Sequence, residues 1–443
     1  MDILALAPDL GGLLYTIISF VVALVVIVAV HEYGHYIVGR WSGIKAEVFS
    51  LGFGPVLASR VDRHGTRWQI AALPLGGYVK FLGDSDAASG KDPDAIGALS
   101  EADRRHTMHG APLWARAATV AAGPVFNFIL SILIFAAVIL SEGRPKEPLA
   151  IGDLQELPYS VTLEQGDTLL SIAGLDIPTE GLSAIRGDLP KAADLEYIVE
   201  RGGTEAIAIA PNPYTPVVDQ VAPRSAAYDA GIRPGDVITA VDGEPIYAFE
   251  ELVDLVKAAE GAPLDLSVWR AGQDLNIALS AKRVDEPTAD GGFQTVWRIG
   301  VVGGLFFEAA TESVGVGEAL SSGVSQLWFL ISGSVSGLWH MITGAISTCN
   351  MSGPVGIAEV SGAMASQGAQ NFIWFIGSLS AAVGLLNLFP VPVLDGGHLV
   401  FFAYEAVAGK PPSDKVLRVL MAAGLALILS LMVFALGNDL FCP

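Results

Sequence analysis

Two histidines and a glutamate stand together in "VVIVAVHEYGHYIVG", residues 25–39, at the end of an almost unbroken apolar run. On a helix, His31 and His35 share one face, so both imidazoles can reach a single metal ion. Glu32 lies beside them, placed to take a proton from a metal-bound water instead of binding the metal. This is the HExxH pattern of zinc metalloproteases. Catalytic zinc takes three protein ligands and keeps one position open. No nearby His or Glu follows His35 within the apolar run, so the third ligand comes from elsewhere. The candidate is Asp395 in "NLFPVPVLDGGHLV", the only carboxylate between positions 371 and 402. Pro390 and Pro392 interrupt a helix there and Gly396 and Gly397 permit a sharp turn, which lets Asp395 point inward. His398 is the rival ligand, with capping or packing as its other role. Asn387 has two open roles: donating to a substrate carbonyl or a developing oxyanion, or satisfying backbone groups freed by the prolines.

The elements that must position these residues are apolar. Of 443 residues 52% are hydrophobic and only 16% charged, which suggests a multi-pass membrane protein. Runs at 13–38, 117–140 and 416–436 are long enough to span a bilayer, and a fourth at 371–403 is broken by "NLFPVPVLDGG". The first run is too long for a signal peptide and lacks a basic leading region and a cleavage pattern, so it reads as a retained helix. Ionisable side chains inside such a run are costly and by default functional. In the second run, "AAGPVFNF" places Pro124 and Asn127, which read as helix packing.

Charge is divided unevenly. Residues 39–117 hold 10 Lys+Arg against 8 Asp+Glu, whereas 141–318 hold 12 against 30. By the positive-inside tendency, 39–117 and 404–416 face the cytoplasm, the acidic middle region and both termini face outward, and His31 lies nearer the cytoplasmic side. A net charge of −21 without a basic block argues against nucleic-acid binding. Cys349 and Cys442 show no metal-ligand spacing and read as unpaired thiols.

Residues 46–82 alternate apolar and polar positions between turn signals at "RHG" and "PLGG", which predicts hairpins. The "IAALPLGGYVKFLG" stretch is apolar enough to dip into the membrane against protein, and an exposed edge there could pair with a substrate strand. Residues 84–108 read as a polar, flexible loop. An internal repeat follows. "EQGDTLLSIAGLDI" (164–177) and "RPGDVITAVDGEPI" (233–246) align at an offset of 69 residues. After the second copy come a helical stretch, "FEELVDLVKAAEG", and two strands, "LDLSVWRAG" and "DLNIALSAKR". The segment 315–347, with Trp328, Phe329 and Trp339, suits amphipathic helices at the outer membrane surface.

The repeat resembles the permuted PDZ domain of bacterial envelope proteases, with "GDVITAVDGEPI" as its signature and Glu164–Gln165 departing from it in the first copy. Together, HEYGH, "GGYVKFLGD", "AGPVFNF", the PDZ insertion and "NLFPVPVLDGGHL" resemble the site-2 protease family, and within it the bacterial members with tandem PDZ domains that regulate sigma-E. The resemblance implies zinc held by His31, His35 and Asp395, Glu32 as general base, and substrate handling by Asn387 and by Gly76, Gly77, Tyr78 and Val79 of the hairpin. It also implies a PDZ pair that admits single-pass membrane proteins only after another protease has cut them, with an anti-sigma factor as the expected substrate and signal-peptide remnants as another. The PDZ copies would take peptide termini.

The expected fold is a multi-pass α-helical membrane protein. It would have about four transmembrane helices, a membrane-associated β-hairpin region and two inserted PDZ-like α+β domains. The expected segments are 1–40 (first span), 41–116 (hairpin region and loop), 117–141 (second span), 142–214 and 215–284 (PDZ-like copies), 285–370 (surface helices), 371–404 (broken third span) and 415–437 (fourth span). The expected place is the bacterial inner membrane, among lipid, with the PDZ-like copies on the periplasmic side. Rival readings are a zinc transporter or sensor, which leaves Glu32 and the repeat without work, and a PDZ scaffold with a dead site.

Overall fold

Where the chain is apolar over twenty or more residues it forms helices whose backbone groups bond internally, as a bilayer requires. The computed structural model describes residues 7–85, 97, 99–178, 181–288 and 292–442; positions 86–96 and 98 of the expected flexible loop lie outside these. Helices of ten or more residues are α1 (Ala7–Trp41), α2 (Leu113–Glu142), α3 (Phe249–Ala258), α4 (Val316–Ile342), α5 (Pro354–Ser366), α6 (Ala369–Leu388), α7 (Asp395–Ala408) and α8 (Asp414–Phe441). Among the described residues four are long and apolar enough to cross a membrane: Gly12–Trp41 within α1, then α2, α6 and α8.

The broken run at 371–403 resolves into two helices. α6 ends at Leu388 and α7 begins at Asp395 itself. Between them Pro390 and Pro392 remove backbone donors, and Val393 is held at φ 100°, a strained value for a β-branched residue. A Cβ on Gly396 would strike the Leu388 and Phe389 carbonyls, and one on Gly397 the Val391 carbonyl. The two glycines therefore let the connection fold tightly over the first turn of α7.

One compact unit holds the described residues up to Val138, Gly317–Trp339 and Met351–Cys442. Its sheet is built from two long, bent strands, β1 (Ala46–Val61) and β2 (Arg67–Phe81). Phe49 pairs with both Val79 and Trp68, and Leu51 with both Gly77 and Ile70, while Arg60 pairs with Trp68. The chain therefore makes four passes, in the order 56–61, 67–71, 46–51, 77–81; the two outer pairings run antiparallel, the central pair 67–71 and 46–51 runs parallel, and 77–81 forms one edge. Asp62 ties this sheet to α1. Its carboxylate accepts from Trp68 Nε1 (3.0 Å), the Thr66 amide (3.0 Å), the His64 amide (2.8 Å) and the Tyr36 hydroxyl (3.1 Å). Partial burial works to raise the Asp62 pKa, but these hydrogen bonds outweigh it and hold the carboxyl at about 2.

Helix α5, within the segment 285–370 expected to carry surface helices, packs along α1. Asp439 accepts from the amides of Gly353, Val355 and Gly356 at 2.9–3.1 Å and so satisfies donors at its N-terminus. Arg116 of α2 makes a two-pronged ion pair with Glu405 of α7 at 2.6 and 3.0 Å and lies over the Phe402 ring. This pair fixes α7 against α2.

The other unit, Ile139–Val316 with His340–Asn350, contains the repeat as two sheets of identical strand order. In the first, Leu175–Asp176, Thr168–Ile172, Leu195–Arg201 and Thr204–Ala210 lie side by side; in the second, Glu244–Pro245, Val237–Val241, Pro263–Arg270 and Gln273–Ser280 do. The aligned Gly-Asp signature has one physical task in both. Asp167 and Asp236, each 1% exposed, receive a paired hydrogen bond from Arg201 (2.6 and 2.7 Å) and Arg270 (2.6 and 2.7 Å). Arg201 holds the Asp167 carboxyl below its usual range.

The copies differ after the short second strand. The second continues into α3, whose donors at Tyr247 and Ala248 are met by the Glu251 carboxylate. Among the described residues the first has two 3₁₀ turns there, Leu182–Ala184 and Arg186–Asp188, in a stretch punctuated by Gly181, Gly187 and Pro190. A returning segment then closes both copies: Val301–Gly303 pairs with Val218–Val221, and Phe307–Ala309 with Ile151–Leu154. The expected helices at 315–347 are one helix, α4, which exposes Trp328, Phe329 and Trp339. Both cysteines are disulfide-bonded, which corrects their reading as unpaired thiols; separation in sequence carried no information about partners.

Candidate metal centre

His31 and His35 project from one face of α1, as their spacing requires, and α7 brings Asp395 to them. The His31 and His35 Nε2 atoms are 3.2 Å apart, and Asp395 Oδ2 lies 3.2 Å from the first and 3.5 Å from the second. A tetrahedral zinc ion with bonds of about 2.0–2.1 Å holds its ligand atoms about 3.3 Å from one another. All three side chains are largely buried, at 12%, 13% and 17% exposure. Asp395 Oδ2 has no hydrogen-bond partner among the described residues although it faces both imidazoles. A buried carboxylate oxygen left in that condition is costly. The two nitrogens and one oxygen therefore form a donor set that fits a metal ion. Gly123 of α2 forms one wall, where a Cβ would overlap His35 Nε2 and come 2.8 Å from His31 Cε1.

Helix α2 also holds the outer ring nitrogens. His35 Nδ1 donates to the Thr119 carbonyl at 2.9 Å, which fixes the tautomer with Nε2 as the free acceptor. The Asn127 side chain lies 3.2 Å from His31 Nδ1. The sequence had given Asn127 to packing, and it does pack: its carbonyl accepts from Ser131 Oγ at 3.0 Å and Ser380 Oγ at 2.9 Å. The available signal for a further role was the cost of an amide side chain inside an apolar span.

Glu32 faces the edge strand 77–81. A Cβ on Gly77 would come about 3.0 Å from Glu32 Cγ. Residues alternate across a strand. Gly76 and Tyr78 accordingly lie against Phe53, and the Tyr78 hydroxyl accepts from Gln69 Nε2 at 3.3 Å. Asn387, at the end of α6, donates to the Val383 carbonyl at 3.1 Å. Among the described residues the metal-ligating cluster comprises His31, His35 and Asp395 without His398, whose ring lies 6.0 Å from that of Phe401.

A largely buried His-His-Asp cluster with an adjacent glutamate, in a chain with four membrane-length helices among the described residues, fits a zinc metallopeptidase. The comparison with known families agrees: the model of peptidase family M50 matches residues 19–431, and the chain belongs to that family. It is 37% identical over 434 residues to a protein named "putative zinc metalloprotease" in Agrobacterium fabrum, covering 97% of each chain. A protein of the same designation in Rhizobium meliloti is also 37% identical, over 97% of this chain and 98% of its own. The metalloprotease MmpA of Caulobacter vibrioides is 31% identical over 454 aligned residues, covering 97% and 96%. The metal of this family is zinc.

Proposed function

We propose that this chain is an intramembrane zinc endopeptidase that cuts transmembrane segments of single-pass proteins. The observation that carries the reading is the buried triangle of His31, His35 and Asp395, whose spacing matches a zinc donor set and whose Oδ2 is otherwise unpartnered. These three side chains would hold the ion. When bound, it supplies Lewis-acid chemistry: activation of water and polarisation of a peptide carbonyl. Glu32 takes the proton of the attacking water and passes it to the departing amine nitrogen.

A helical substrate hides its carbonyls in its own hydrogen bonds, so it must be extended before it can react. Strand 77–81 lies against Glu32, and a substrate strand added to this edge would be held open beside the base. Asn387 has a second task in this reading, donation to the developing oxyanion, for which its bond to Val383 would have to yield.

The repeated sheets are taken as PDZ-like modules, the second with a helix beside its sheet for a peptide terminus and the first, among the described residues, without one. They would act as a size filter, admitting substrates already shortened by another protease, with an anti-sigma factor or signal-peptide remnants as candidates. The bacterial inner membrane is the proposed location, with the repeats on the periplasmic side. Two disulfide-bonded cysteines suit that sidedness, since such bonds persist in oxidising compartments and Cys442 closes the end of α8.

The test is to incubate purified full-length protein with a single-pass membrane protein lacking its outer domain, then weigh the products. A cut inside the apolar segment is expected; cuts confined to the soluble flanks would overturn the proposal.

A further inference from the structure

Asn127 is fully buried, its Nδ2 stands 3.2 Å from His31 Nδ1, and its Oδ1 has no partner among the described residues. That orientation makes His31 Nδ1 the acceptor. A neutral imidazole accepting at Nδ1 carries its proton on Nε2. Yet Nε2 is the nitrogen 3.2 Å from both His35 Nε2 and Asp395 Oδ2, and a protonated ring nitrogen binds no metal. The oxygen and nitrogen of an amide are told apart by their hydrogen-bond network. Turning the Asn127 amide by half a rotation puts Oδ1 on His31 Nδ1, which then donates, and frees the Nε2 lone pair for the cluster. The other end of the amide has no partner among the described residues in either orientation, so His31 decides between them.

We propose that Asn127 is the positioning residue of His31: its side-chain oxygen accepts the Nδ1 proton and fixes the ring with Nε2 turned to the metal. The inference rests on the zinc reading above. It gives α2 one task at both histidines, because the Thr119 carbonyl already takes the Nδ1 proton of His35 at 2.9 Å. The backbone carrying the amide is itself fastened. Ser131 Oγ bridges the Asn127 carbonyl at 3.0 Å and the Gly377 carbonyl at 2.8 Å, and Ser380 Oγ reaches the Asn127 carbonyl from α6. Such outer acceptors orient ligating histidines, and their removal typically weakens metal binding about 10–100-fold.

The experiment is zinc affinity, measured by chelator competition on the detergent-solubilised full chain, for wild type, Asn127→Leu, Asn127→Asp and His31→Ala. Leucine keeps the volume and removes the acceptor; aspartate keeps an acceptor in the same place. The expected result is an affinity about 10–100-fold weaker for Asn127→Leu, wild-type or tighter binding for Asn127→Asp, and severe loss for His31→Ala. Wild-type affinity in Asn127→Leu, or equal losses in the leucine and aspartate variants, would overturn the role of Asn127 while leaving the site intact. Wild-type affinity in His31→Ala would instead sink the zinc assignment itself.

Discussion

Buried aspartates serve opposite ends in the two units. Asp167 and Asp236, in the repeated sheets, have both carboxylate oxygens taken up by an arginine, and each also accepts a backbone amide at the turn before its strand. Asp395 is less deeply buried, at 17% exposure, and its Oδ2 faces two ring nitrogens and makes no hydrogen bond among the described residues. A carboxylate whose bonds are complete holds a fold together. One whose bonds are withheld, at the strained start of a helix, is stored for a ligand. Burial alone does not separate structure from function; satisfaction does.

Four substitutions probe this contrast. The largest effect belongs to Glu32→Gln, which should slow cleavage by about 10²–10⁴-fold with bound zinc unchanged, as read by product formation and metal content on one preparation. Next is Gly123→Ala. Alanine favours a helix by about 1 kcal/mol, so helicity should hold while the new Cβ crowds His35 Nε2. Zinc affinity should drop by about tenfold or more in a chelator titration. Third, Asp236→Ala should lower the stability of the second repeat by roughly 1–3 kcal/mol, read by hydrogen exchange in 233–280, and leave zinc affinity untouched.

The smallest effect is acid sensitivity of the first repeat. Arg201 depresses the Asp167 pKa, so this contribution is complete above the ordinary aspartate value of about 3.9. It is lost as pH falls through the lower folded value. Exchange in 164–210 should therefore quicken below about pH 4 in wild type, and Asp167→Asn should lack that step.

Much of the centre could be read from the chain because its geometry is local or its alternatives are few. His31, Glu32 and His35 share one helix, so spacing alone orients them. Asp395 stood out as the one carboxylate in a span broken by prolines. The repeat showed through its Gly-Asp turns, and its two matching sheets reproduce the alignment. What escaped detection depends on contacts between distant parts. The closing strands Val301–Gly303 and Phe307–Ala309 are too short for periodicity to register. The packing of helix α5 was not legible because its N-terminal partner, Asp439, lies far along the chain. Asn127 looked like packing because nothing in "AGPVFNF" tells which helix it will face. The four-pass sheet was expected only as hairpins, since strand alternation does not reveal that the two inner passes each have two neighbours.

The central claim, that the unsatisfied aspartate is the one reserved for metal, is tested most directly by comparing zinc per chain in Asp395→Ala and Asp236→Ala, purified alongside wild type at the same free zinc. One zinc per chain is expected in wild type and Asp236→Ala, with little or none in Asp395→Ala. Full zinc in Asp395→Ala, or equal losses in both variants, would contradict it.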